Sequence, residues 1–112
     1  MKIEELRSFY NSDQNPSLDS SSFEQSFKSL KSSWLVLNNL SKSVNKEDNF
    51  HFTDCLGDFY ACESIFLESF DNENKLKDCR IALSELNANI ASLTARSSKT
   101  KSWVSDLYIF DV

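Results

Sequence analysis

The chain has 112 residues, 40% of them apolar, and a formal net charge of −5, enough for one core and one domain but too little for two. One glycine and one proline in the whole chain exclude folds built on hairpins, whose turns need residues at positive φ. The excess of acid argues against nucleic-acid or anionic-membrane ligands.

The first ten residues carry Ile3, Leu6 and Phe9/Tyr10 at helical spacing, which predicts a short helix over 2–10. Glu4 and Glu5 stand where a secretory leader would be basic and then apolar, and no apolar run is long enough to span a bilayer. Asn11 to Leu18 contains the only proline among Asn, Asp and Ser, so it reads as a loop. Asp19, Ser20, Ser21 and Ser22 offer several N-caps for the next helix, and Ser21 with Glu24, or Ser22 with Gln25, fits a capping box.

The longest helix is expected over 22–43. Phe23, Phe27, Leu30, Trp34, Leu37 and Val44 keep a 4-3-4-3 rhythm broken only by Ser41, and Leu35, Val36 and Leu40 widen the stripe. A third helix follows over 51–70, with Phe52, Cys55, Leu56, Phe59, Tyr60, Cys62, Phe66, Leu67 and Phe70 within one arc. A fourth, over 75–97, repeats the seam with Leu76, Cys79, Leu83, Leu86, Ile90 and Leu93. The segment 103–110 reads as helical or extended. Short polar connections favour antiparallel neighbours. The fold expected is all-α, a single-domain antiparallel bundle of four to five helices.

Charge is segregated along this frame. Between Lys46 and Lys75 stand eight carboxylates and no Lys or Arg, and the flanking stretches are each weakly positive. On the polar side of the third helix Asp54, Asp58, Ala61, Ile65 and Glu68 form a second, outward seam. Ile65 ringed by carboxylates has the pattern of a desolvated anchor with a steering rim. The alternative is a solvated acidic face carrying one stray apolar residue. The candidate partner-binding residues are Glu47, Asp48, Asp54, Asp58, Tyr60, Ile65, Glu68, Asp71 and Glu73.

Glu63 falls inside the apolar arc, where a carboxylate needs a cation, and Arg80 on the facing flank of the fourth helix is the candidate. Gly57 lies on the polar side of the third helix at a cost of about 1 kcal/mol against Ala. Either a partner's backbone approaches it or the position tolerates it. His51 and Cys55 have i,i+4 spacing, but a zinc site needs two more ligands and there is no second histidine. Nor is there an orienting carboxylate or glycine-rich loop for a Cys–His nucleophile. No metal, no cofactor and no enzymatic activity are expected. Cys55 and Cys62 lie about 10 Å apart along a helix, beyond disulfide reach, and the odd count of three cysteines fits a reducing cytoplasm.

In size, acidity and helicity the chain resembles the immunity proteins of bacterial competition systems, small acidic helical proteins that neutralise nuclease toxins. The resemblance implies a monomeric, non-enzymatic inhibitor that lays its acidic helix on the basic cleft of a toxin. The rival reading is a structural or adaptor subunit whose apolar seams complete a larger helical assembly.

Overall fold

The computed structural model describes residues 1–96. It contains four α-helices, α1 (Ile3–Ser8), α2 (Ser21–Leu40), α3 (Asn49–Glu68) and α4 (Lys75–Ala95), with a 3₁₀ turn at Lys46–Asp48 leading into α3. There is no strand among the described residues. The expected segment 103–110, and the end of the helix expected to reach residue 97, lie outside them. Helix ends fall within two to three residues of those expected.

Local chemistry explains the boundaries. Glu4 and Glu5 in the first turn of α1 and Arg7 in its last complement the helix dipole. α2 starts at Ser20, whose hydroxyl accepts the Phe23 amide at 3.3 Å. Of the four N-cap choices Ser20 is the one used, one residue before the Ser21 box and two before the Ser22 box, because it holds the extended backbone (φ −145°, ψ 161°) that aims an N-cap oxygen at the first turn. Between α1 and α2, Lys31 donates to the Ser12 carbonyl at 2.6 Å, tying the proline-containing loop down on α2.

α2, α3 and α4 each pack against the other two. The centre holds Phe27, Leu30, Leu37, Leu40, Phe59, Cys62, Phe66, Cys79, Leu86 and Ile90, all essentially inaccessible. Burying such side chains stabilises by about 1.5–3 kcal/mol each, and this packing sustains helices rich in serine. Leu6 and Tyr10 close the same core from the N-terminal side. The Tyr10 ring lies 5.5 Å from Trp34 and 6.0 Å from Phe59. At the other end, Phe23 meets Phe70 at 5.1 Å and Phe66 at 6.2 Å.

The α2–α4 contact is polar at its heart. Ser33 donates to Asn87 Oδ1 at 2.7 Å, and Asn87 Nδ2 donates to Ser29 at 3.3 Å. Ser26 and Ser32 are buried along the same side of α2, and small side chains there let two backbones come close. Some expected core positions stand further out. Trp34, Phe52, Leu56 and Leu67 are half-buried, while Leu35, Tyr60 and Phe70 are exposed. With only two large neighbours for α3, its apolar arc is wider than the surface available to cover it.

Candidate functional site

α3 presents one long side to solvent, and the carboxylates lie along it and at its two ends. Asp54 and Asp58 are exposed, one helical turn apart. Glu47 in the 3₁₀ turn and Asp71 and Glu73 after the helix are exposed too. None of these five makes an ion pair among the described residues.

The other candidates have partners or a different placement. Asp48 is half-buried and accepts Arg96 Nη1 at 3.3 Å, and Glu68 pairs with Lys75 at 3.2 Å in the open. Tyr60 is exposed, with the Arg7 guanidinium 5.4 Å above its ring, a cation–π distance. Ile65 is corrected: it is half-buried and packs against the core, so it is no outward anchor. The rest of its seam, Asp54, Asp58, Ala61 and Glu68, is exposed, and Ile65 alone leans its apolar side chain onto the core.

The apolar residue that does stand among carboxylates is Phe50, 72% exposed. It precedes Asp54 by one turn and follows Glu47 by three residues, so both acids flank it. Its ring lies edge-on to that of His51, with centroids 6.0 Å apart. Phe50 lies one residue before the helix expected over 51–70, and on the wheel of α3 it falls off the apolar arc. Gly57, two turns further along, is open: a Cβ added there would meet nothing within 4 Å.

Between α3 and α4 runs a groove of about 230 Å³. Asp54, Cys55, Asp58 and His51 line it from one side and Asn89, Ser92, Leu93 and Arg96 from the other. Its floor is apolar, at Cys55 and Leu93, and its rims are polar. No group of three or more metal-ligating side chains exists among the described residues. The groove is open, with acid on one rim.

Glu63 is buried as expected but not with Arg80, which is exposed. Arg7 Nη2 reaches its Oε1 at 2.8 Å and Arg7 Nε its Oε2 at 3.2 Å. The Tyr10 hydroxyl donates to Oε2 at 2.8 Å. The correction follows from the wheel. Glu63 faces the gap closed by the N-terminal segment, which a reading of neighbouring helices alone does not bring to α3. Hydrogen bonding to Glu63 raises the Arg7 pKa against the opposing effect of burial. Burial, then the bond to Glu63, raises that of Tyr10.

These features define a small all-helical protein with one acid-rimmed, aromatic-studded helix face and a buried ionic node on its inner side. No family model, characterised protein or solved structure matches the chain. No helix among the described residues is long and apolar enough to cross a membrane.

Proposed function

We propose that the protein is a non-enzymatic inhibitor of the immunity-protein kind, acting in the cytoplasm as a monomer. It covers the basic active-site cleft of a toxin, a nuclease being the best fit. The observation that carries this reading is the set of five exposed carboxylates without an ion pair among the described residues, spread along α3 and its two ends, with Glu47 and Asp54 beside an exposed Phe50. A basic cleft that normally holds a phosphate backbone offers the complementary field. Phe50 and Tyr60 supply the apolar area that slows dissociation once steering has brought the partners together. Inhibition by occupancy needs no chemistry from the inhibitor. Packing of α3 against both α2 and α4 suits the role, because a helix held by two neighbours presents its outer face rigidly.

The test is affinity capture from native cells at low and high salt, with the intact chain and with a Phe50→Ala/Asp54→Asn/Asp58→Asn variant. Basic proteins retained by the intact chain at low salt, lost with the variant, and inhibited when re-mixed with the intact chain are the expected result. Identical captured sets for both chains sink the reading.

One observation favours an adaptor subunit instead. Ile81 on α4 is 52% exposed and Leu35 on α2 is 40% exposed, both away from the acidic face. Size-exclusion chromatography at micromolar concentration separates the two, since an adaptor that assembles with itself elutes as an oligomer that Ile81→Ser dissociates.

A further inference from the structure

We infer that the groove between α3 and α4 receives an arginine side chain of the partner. The inference rests on the acidic-face reading and gives that face its specific pocket. The groove is concave and amphipathic, with an apolar floor at Cys55 and Leu93 matching the methylene stem of a long cationic side chain. Its rims carry acceptors on two helices: the carboxylates of Asp54 and Asp58 from α3, and the polar side chains of Asn89 and Ser92 from α4. None of these four side chains has a hydrogen-bond or ion-pair partner among the described residues.

A guanidinium suits that layout better than an ammonium. It is planar, offers five donors in a fixed fork, and sheds water more readily than the compact lysine head. Two carboxylates one turn apart on the same rim can each take one edge of such a fork. The molecule already sets one guanidinium at the end of this groove, where Arg96 donates to Asp48 at 3.3 Å. Arg96 neutralises Asp48 and leaves Asp54 and Asp58 unmatched. Charge complementarity therefore selects a cationic occupant and excludes a second copy of this chain presenting its own acidic face.

The experiment titrates the full chain, labelled with ¹⁵N, with N-acetyl-arginine N-methylamide and, separately, with its lysine counterpart. Saturable shifts confined to the Asn89 side-chain amide and the backbone amides of Asp54, Asp58 and Ser92 are expected. The lysine probe should bind roughly threefold or more weakly, for want of the fork. Asp54→Asn/Asp58→Asn should weaken the arginine probe by roughly tenfold, about the worth of one charge-assisted hydrogen bond. Arg96→Met, which removes a like charge from the groove lining, should tighten it. Equal response to both probes, shifts spread evenly over Glu47, Asp71 and Glu73, or binding indifferent to the double substitution would overturn the pocket. Failure here with partner capture still sensitive to Phe50→Ala removes the groove and leaves the face. Capture indifferent to Phe50 and to charge removes the face itself.

Discussion

Arg7 and Glu63, fifty-six residues apart in sequence, form a two-point ion pair at 2.8 and 3.2 Å. Its ends lie in different media: the Glu63 side chain is 1% exposed and that of Arg7 is 51% exposed. Tyr10 completes the node from inside the core at 2.8 Å. Three donors thus meet the two oxygens of one buried carboxylate, the condition under which such a charge is tolerated. A six-residue helix is far too short to persist alone, so this node and the buried Leu6 hold α1 in place.

Removing Arg7 leaves that carboxylate buried with Tyr10 as its remaining donor. Arg7→Met should therefore destabilise by about 3 kcal/mol, the low end of the range for breaking a buried pair because the guanidinium side is half in water. Arg80→Met should change stability by less than about 0.5 kcal/mol, as for other surface positions. Urea titration of both variants in wild-type and Glu63→Gln backgrounds decides it. Coupling at position 7 and additivity at position 80 are expected, and the reverse pattern would dissolve the node.

The start of α2 offers a sharper comparison. Ser20→Ala should cost about 1 kcal/mol through the lost cap, whereas Ser21→Ala should be close to neutral. Equal losses at both positions in thermal denaturation would restore the later capping box.

Gly57→Ala should raise stability by about 1 kcal/mol, since the new methyl meets nothing and helical glycine carries an entropic cost. The melting temperature reads this directly. A loss of stability would mean that the helix needs its glycine.

Three buried thiols set the alkaline limit. Burial foremost, with Asp58 and Asp54 adding to it, lifts Cys55 from 9.0 to about 11. Burial lifts Cys62 and Cys79 from 9.0 to about 12. Tyr10 moves in the same direction. Each folded pKa lies above its unfolded value, so the fold holds these protons more tightly than the unfolded chain. Their stabilising contribution is complete below pH 9 and is lost as pH rises through about 11 to 12, with up to about 1.4 kcal/mol per pH unit for each thiol. Denaturant midpoints measured between pH 7 and roughly pH 11 should stay level and then fall past pH 9. An aromatic disulfide reagent should label the native thiols slowly and the urea-unfolded ones at once, because the thiolate is the attacking species. Rapid labelling at neutral pH would show the thiols to be open.

Helix number, order and extent were legible because apolar residues at 3- and 4-residue intervals record which side of each helix is covered. Phe27, Leu37, Phe66, Leu86 and Ile90 could be placed in the core from spacing alone. Glu63 was legible as an anomaly, but its partner was not. Arg7 reaches it through a loop whose path the periodicity of α3 and α4 does not encode. Asn87 was not legible, because an amide on a helix has the pattern of surface until a serine-lined neighbour is known to face it. At the acidic face, charge order along the chain revealed the patch. Which apolar residue stands clear of the core depends on how far α4 wraps around α3, and a single-helix wheel contains no neighbour.

Phe50 and Ile65 turn that difference into an experiment. Ile65→Asp puts a charge where the side chain packs on the core, and it should destabilise by about 2–4 kcal/mol through unpaired burial and lost packing. Phe50→Ala removes a ring that is largely exposed, so the fold should change by less than about 0.5 kcal/mol. Against a captured partner the order should invert. Phe50→Ala should speed dissociation at a cost of roughly 1–3 kcal/mol, the range of an apolar anchor in a desolvated interface centre. Asp54→Asn and Asp58→Asn should chiefly slow association, and raised salt should mimic them, because rim charges act on encounter through a screened field. The measurements are urea midpoints and the two rate constants at two ionic strengths. Should Ile65→Asp leave stability untouched while abolishing binding, the anchor returns to Ile65 and the face must be redrawn toward α4. If neither substitution alters binding and salt has no effect, α3 is not the docking surface and the exposed Ile81 side becomes the place to look.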